Sequence, residues 1–591
     1  MPRPRPHLLL RAPTPSQKSL SFCEAHPREF KAWIASLPKA NIGEMARLLY
    51  QGLTELNQLV TSSEVRLQLL ELLRPEVYYV CRHLEKHFLN QAIVLDERAR
   101  KVANLCQALQ NHLAVGYKYI VVRLAETSPA ERSAVMAIAL QRAIHALNGP
   151  LVRAALLYCP PPEGLWVELH QLYLVAADQK VQHTPVADEL AHHIKALTPE
   201  QAYLCALLLG CSRCNQMRQN SIGRLAEVLE AWSPLARLRP ALAESSLFAV
   251  APAIDGPPRY KSLFPEQQWP TLVGLDTLSV SQALQAYVAL PPAERSASRL
   301  VVPPAFSLDL LQHLAAAWGN VSERTFERMP GTGNLTLCLG MSALHYYLAG
   351  ERSFGEMLSR PSAGQQAQFS QGQSWAQIYE ASQHHIVMEE IQYPAPSTEP
   401  GATAAQAPQH QEYPSYSLQI VNHSPGGYCL AWPREVPAQL QAGEIVGIQD
   451  VPSQGWSVAV VRWIRQVRSG GTQIGIELLA PHAQPCGVQL VRSGEPSSEY
   501  LRGLLLPEIR AIDVPATLVA PRLPFQEGHQ VLINTQGDER PASLGKRVSA
   551  TGSFNQFEYH TAHQPDEPPI LQPGTEDAAP EENFDSLWRD L

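Results

Sequence analysis

At 591 residues, with 45% hydrophobic and 17% charged side chains, the chain carries more apolar mass than one core takes. Single cores stop growing near about 250–300 residues, so several domains are expected. The net charge of -8 argues against a general nucleic-acid binder, which needs a basic surface against phosphates.

Residues 1–40 read as a poorly ordered lead-in, with Pro2, Pro4, Pro6, Pro13 and Pro15. Leu8-Leu9-Leu10 is too short for a signal-peptide core, and no apolar run reaches the roughly 18–20 residues that span a bilayer. A cytoplasmic protein without a membrane span is therefore expected. Its ten cysteines fit reduced thiols better than a disulfide framework.

From 41 the pattern turns helical. Met45, Leu48, Leu49, Leu53, Leu56 and Val60 recur at three- and four-residue steps on one helix face. Ser62-Ser63-Glu64 offers N-cap chemistry for a helix carrying Leu69, Leu70 and Leu73. Similar blocks follow at 96–126, 129–148, 149–178, 186–197, 199–217 and 221–232. Short turns between them suggest helical hairpins over 41–240, in a solenoid or irregular bundle without a strict period. Residues 241–320 read as a mixed helical connector, with helices at Leu278–Leu290 and Leu308–Trp318.

Asn334 to Gly340 alternates like a strand, and Ser342 to Leu348 looks helical. Residues 393–415 are rich in Pro, Ala and Gln and read as part of a flexible insertion, spanning 342–415 in all. Strand patterns return at 416–421, 428–432, 444–449, 457–467 and 472–479, the spacing of a compact antiparallel barrel over 321–485. A second β-rich domain is expected over 486–560. The acidic, proline-rich segment 561–591 reads as disordered. It ends in Phe584, Leu587, Trp588 and Leu591, which suit a docking peptide or a tail folded back on its own chain.

Two short motifs flank the insertion. Arg324-Thr325-Phe326-Glu327-Arg328 reads R-x-x-x-R, and Asn422-His423-Ser424-Pro425-Gly426-Gly427 reads N-x-S-x-x-G. A guanidinium is a planar fork that fits phosphate oxygens and guanine O6 and N7, and it can stack on a base. An Asn amide can pair with a base edge and a Ser hydroxyl can donate or accept, while glycines permit positive φ and close backbone approach. Each motif alone is weak. Arg295 and Arg299 form a second R-x-x-x-R, and Arg324 and Arg328 also suit a solvated helix face with Arg324 paired to Glu327. The strand that follows Arg328 favours the Arg324/Arg328 copy.

Together the motifs resemble the two signatures of the PilZ domain, a small β-barrel that binds cyclic di-GMP. Val458 to Trp463 and Gly475 to Leu478 look like its later strands. The resemblance implies a multidomain α + β protein: an N-terminal helical repeat or bundle, a PilZ-like antiparallel β-barrel, and a second small β-rich domain. It assigns Arg324 and Arg328 to phosphate and guanine contacts, and Asn422, Ser424 and Gly427 to the guanine-facing wall. It departs from the family pattern in the long insertion between the motifs. The implied function is a cyclic-di-GMP receptor, with outputs such as motility, pili or surface attachment. An unidentified protein partner would bind through the helical region or the C-terminal tail. A helical adaptor with a non-binding barrel is the alternative.

No P-loop, dinucleotide-binding glycine pattern or nucleophile elbow is present, and nothing resembles a cyclase or phosphodiesterase motif, so neither catalysis nor a cofactor is expected. Cys211-Ser212-Arg213-Cys214 lacks a second pair at zinc spacing, and Leu204 to Met217 reads as one buried helix. His384-His385 with Glu389 and Glu390 lacks the order of a metalloprotease motif. No metal is expected. Arg462, Arg465 and Arg468 form a basic ridge, with Arg462 and Arg468 on one face and Arg465 on the other.

Overall fold

The structure is a computed structural model, which describes residues 10, 12–89, 91–125, 132–319, 328–359, 413–433, 436–451, 455–468, 470–491, 498–508 and 515–561. Apart from Thr561, the expected tail 561–591 lies outside these residues, as do most of the Pro/Ala/Gln-rich segment and His384 and His385.

The N-terminal region packs helices α1 (Pro27–Ala35), α2 (Ile42–Gln58), α3 (Ser63–Glu85), α4 (Glu97–Ala125), α5 (Ser133–Leu156), α6 (Leu165–Asp178), α7 (Pro199–Cys211) and α8 (Gln219–Trp232), with a two-residue strand pair β1 (Val186–Ala187) and β2 (Ala196–Leu197) between α6 and α7. Asn41 and Ser62 cap α2 and α3 by accepting backbone N–H groups, and Thr198 with Gln201 forms a capping box on α7. Helices α4 and α5 lie against each other and take the remaining helices around them.

Three expectations need correction here. The lead-in contains α1, because Phe22, Phe30 and Trp33 stack together and bury Phe30 completely. Helix α5 runs through Gly149-Pro150 to Leu156, although a proline removes one intrahelical bond. Packing holds it: Asn148 Nδ2 donates to the Ala202 carbonyl, and Arg153 Nη2 donates to Gln110 Oε1. Residues 186–197 form no helix, because polar pins override local propensity. The Asp188 carboxylate sits between Arg74, at 2.7 Å to both oxygens, and Arg142 at 3.0 Å. The backbone N–H groups of His192 and His193 donate to Glu230.

Residues 237–240, expected to close the helical region, and 241–276, expected to begin the mixed helical connector, together hold an antiparallel sheet. Its strands are β3 (Arg237–Pro240), β4 (Phe248–Val250), β5 (Arg259–Tyr260) and β6 (Val273–Asp276), in the order β3-β6-β4-β5. Helices α9 (Leu278–Ala289), α10 (Pro292–Arg295) and α11 (Leu308–Gly319) follow. The Trp318 indole N–H donates to the Leu208 carbonyl and fixes α11 on α7.

The middle barrel consists of β7 (Met329–Pro330), β8 (Asn334–Leu339), β9 (Ser415–Ser424), β10 (Gly427–Trp432), β11 (Ile445–Gln449), β12 (Ser457–Gln466) and β13 (Thr472–Ala480). Pairing runs β8-β9-β10-β13-β12-β11 and back to β8, which closes the ring, and β7 lies on β9 beside β8. The insertion leaves and re-enters between two paired neighbours, Cys338 opposite Ser415. It therefore replaces a hairpin turn without breaking a ladder.

The insertion opens with α12 (Gly340–Leu348) and α13 (Phe354–Leu358). These helices pack on the second closed barrel, ordered β14 (Gln484–Leu490), β15 (Leu501–Leu506), β16 (Thr517–Pro521), β19 (Phe554–Thr561), β18 (Asp538–Ala550), β17 (Gln530–Thr535) and back to β14. The ring N–H of buried His345 donates to the Cys486 carbonyl across this contact. Strands β11 and β12 are covered on both faces. Val446, Ala459, Val461 and Ile464 join a core continuous with the helices, while Ile445, Val458 and Val460 pack with Leu504, Leu506 and Phe554 of the second barrel. Two-sided burial explains the unbroken apolar run Val458 to Val461. At the three-way junction, Arg218 donates to the Ala442 carbonyl at 3.2 Å and reaches Glu444 and Ser553.

Burial alone would raise the Asp188 pKa, but hydrogen bonds and charge from Arg74, with further charge from His145 and Arg142, hold it well below the usual aspartate range. A depressed folded pKa stabilises the fold above the unfolded value and loses that contribution as pH falls. Asp188→Asn should cost about 3–5 kcal/mol at neutral pH, because two buried guanidiniums lose their shared carboxylate. It should also flatten the acid side of the stability profile below pH about 4. Urea denaturation across pH measures both; an unchanged midpoint and profile would contradict the clamp.

Candidate functional site

The second motif forms the β9–β10 hairpin. Ser424 pairs with Gly427, His423 with Tyr428 and Asn422 with Cys429. The register then shifts, with Leu430 opposite Ile420, so Val421 is an extra residue on β9. Ile420 and Leu430 point into the core. A bulge reverses the alternation locally, and Asn422 therefore shares the outer barrel face with Cys429.

A second shift lies between β12 and β13. Val461 pairs with Ile476 and Trp463 with Gly475, leaving Arg462 extra. Val461 and Ile476 face the core, so Trp463 shares the outer face with Gly475. The two bulges align one lateral row: Pro330, Asn422, Cys429, Gly475 and Trp463 on β7, β9, β10, β13 and β12. The indole lies across Gly475, where an added Cβ would sit 2.0 Å from Trp463 Nε1.

The arginine segment reaches the same row. Met329 pairs with His423 and Pro330 with Asn422, and one further step of that register sets Arg328 across from Ser424. The Arg328 guanidinium lies 5.8 Å from the Trp463 ring centroid, and that of Arg465 lies 5.4 Å from it. Both distances are within cation–π range. Arg465 also donates twice to Gln473 Oε1, at 2.6 and 3.0 Å. Neither guanidinium has a carboxylate partner among the described residues. Burial raises the Cys429 thiol pKa, while the charges of Arg465 and Arg328 oppose that rise, so both cations act on the centre of the row. The Asn422 Oδ1 is buried without a hydrogen-bond partner.

Four of the five expected site residues thus lie together on one barrel face, and Arg324 lies outside the described residues. Gly427 packs tightly on β13: an added Cβ would meet the Ile476 carbonyl oxygen at 2.0 Å. Ser424 Oγ contacts the Gly427 carbonyl at 3.5 Å. The sequence missed Trp463 and Gln473 as site members; the available signal was an aromatic two residues before Arg465 in a strand. Of the basic ridge, Arg462 is taken up by Glu477, and Arg465 alone joins the site. Arg295 donates to the Val288 carbonyl near its own helix, away from any barrel ladder. Cys211 ends α7 and Cys214 begins a 3-10 turn after left-handed Arg213, so 204–217 is not one helix; burial raises both thiol pKa values.

The face can hold a flat, anionic ligand: two cations flank an aromatic plane, with an amide and a hydroxyl along one side.

The chain matches three family models. They are described as cyclic-di-GMP receptor FimW, N-terminal domain (residues 28–242); cyclic-di-GMP receptor FimW, middle PilZ domain (247–485); and FimW C-terminal beta-barrel domain (486–562). A protein of Pseudomonas aeruginosa named cyclic-di-GMP receptor FimW is 58% identical over 602 residues, covering 99% of each chain. No solved structure matches the chain.

Gly427→Ala should destabilise the middle barrel by about 1–3 kcal/mol, the usual cost of forcing a methyl into a packed site. Hydrogen exchange of β10 and β13 amides measures this; unchanged protection would mean the β10–β13 contact has slack.

Proposed function

The chain belongs to the FimW family of cyclic-di-GMP receptors, and from that premise we propose that it binds cyclic di-GMP on the outer barrel face between Arg328, Asn422, Ser424, Trp463 and Arg465. One observation carries the proposal: Arg328 and Arg465 flank a single indole with no carboxylate partner among the described residues. Cyclic di-GMP supplies what that arrangement lacks, two phosphates for the guanidinium forks and guanine planes for stacking.

Arg328 binds phosphate or the guanine edge, and Trp463 stacks on a base. Arg465, held by Gln473, presents its charge from the barrel side. Asn422 offers its unpaired Oδ1 to a guanine N–H, and Ser424 adds a hydroxyl. Arg324, four residues before Arg328, closes the clamp from the preceding segment. Ligand held by both arginines and the barrel fixes the junction between helices and barrel, and so changes a surface read by a protein partner. The partner binds through the helical region or the C-terminal tail. The chain acts as a receptor and not an enzyme, in a reducing cytoplasm that suits its ten unpaired cysteines. No described helix is long and apolar enough to cross a membrane.

Calorimetric titration of cyclic di-GMP into the full chain tests the proposal. Saturable binding is expected for wild type. Trp463→Ala should weaken it by about 1–3 kcal/mol, the typical value of one stacked base. Arg324→Ala/Arg328→Ala should abolish it within the accessible range, and Arg295→Ala/Arg299→Ala should leave it unchanged. Absent binding in wild type would favour the adaptor alternative, and binding intact in the Arg324/Arg328 and Trp463 variants would move the site elsewhere.

A further inference from the structure

The strand that carries Trp463 and Arg465 ends at Gln466, and Gln466 is fastened to the helical region. Its backbone N–H donates to the Tyr158 carbonyl at 2.7 Å, and its Nε2 donates to the carbonyls of Leu157 at 3.0 Å and Ile93 at 2.8 Å. One barrel residue therefore holds two helical-region segments, the end of α5 and the loop between α3 and α4. Helix ends leave carbonyls without intrahelical partners, and Gln466 satisfies that of Leu157.

The acceptor is itself unusual. Helix α5 ends in a Schellman turn, with the Cys159 N–H bonded to the Ala154 carbonyl and that of Tyr158 to the Ala155 carbonyl. Tyr158 takes the left-handed position of this turn at φ 53°, where glycine is the usual residue. A side chain there costs about 1–2 kcal/mol. The Tyr158 ring is held in place by burial and by its hydroxyl, which donates to the Met217 carbonyl at 2.7 Å. Such strain persists only where the surrounding packing holds it.

We propose that Gln466 is the positioning residue through which occupancy of the barrel site is communicated to the N-terminal helical region, with Tyr158 as the joint that yields. The proposal rests on the reading that cyclic di-GMP binds at Trp463 and Arg465. Ligand must settle both side chains, and both are borne by a strand whose end moves only with the carbonyls of Ile93, Leu157 and Tyr158. Coupling of this kind is reciprocal: the seat of the helices also sets the aim of Trp463 and Arg465.

The test is hydrogen exchange of the full chain with and without cyclic di-GMP, for wild type and Gln466→Leu, with calorimetry in parallel. In wild type, ligand should change exchange severalfold at residues 91–97 and 155–160. Gln466→Leu, similar in length but without the amide donors, should still bind, weaker by about tenfold at most, within the usual range of coupling between sites. Its response at residues 91–97 and 155–160 should be lost. Wild-type binding without a response there overturns the coupling and leaves the binding site standing, as does a response that survives in Gln466→Leu. Calorimetry showing no wild-type binding overturns both. If Gln466→Leu does not fold, the wild-type comparison still decides, and Gln466→Asn, whose shorter amide cannot reach both carbonyls, replaces it.

Discussion

The antiparallel pairing of β8 with β9 is the constraint on which the rest of the site depends. These strands are separated by the whole insertion, yet they lie side by side, with Asn334 opposite Gln419 and Cys338 opposite Ser415. Their pairing closes the barrel and turns the chain before β8 back along β9, so that β7 reaches Asn422 and His423. Arginine and N-x-S-x-x-G motifs far apart in sequence become neighbours through that one ladder. Lengthening a connection is cheap, at about 0.6 kcal/mol for each doubling. The insertion is therefore tolerated where it lies, at a hairpin tip, and would not be inside a ladder.

Given a closed barrel, the outer face would ordinarily alternate strictly, and Asn422 would share the inward direction of Ile420. The extra residues Val421 and Arg462 break that alternation at two places. One brings out the motif asparagine and the other brings out Trp463. Gly475 between them leaves out a side chain that would stand in the way of the indole. The site thus comes from two local irregularities in a regular ladder, held by the barrel core behind them.

This division explains what the sequence discloses. Strands β9 to β13 are legible because Tyr416, Leu418 and Ile420 alternate and because turn residues punctuate the runs. The helices of 41–240 are legible where caps such as Ser62 and faces such as Met45 to Leu56 agree. The sheet at 237–276 is not, since its strands are two to four residues long and buried residues such as Phe248, Ala249 and Val250 show no alternation. Asp188 and Glu230 decide the loop at 186–197 through partners distant in sequence, which no local pattern reveals. The motif residues proposed for the site are readable from spacing. Trp463 is not, because its role depends on a bulge, and a bulge is a property of two strands.

Strand β12 is well placed to carry force as well as ligand. Its middle is packed on both faces, by the barrel interior and by the second barrel, so it cannot bend there without opening a core. Beyond the second bulge, residues 463–466 stay laddered to β13, with Ile464 in the core and Gln466 bonded to the helical region. On the proposed reading, a displacement imposed at the indole would pass along this laddered end to Gln466. What it meets is a helix end held in a left-handed conformation by a buried tyrosine. Arg218, next to the Met217 carbonyl that holds Tyr158, binds Ala442, Glu444 and Ser553 together, so a second seat of the helices adjoins the first. If Gln466 yields, the adjoining Arg218 junction is the next contact to take up the displacement, and there the helices meet both barrels.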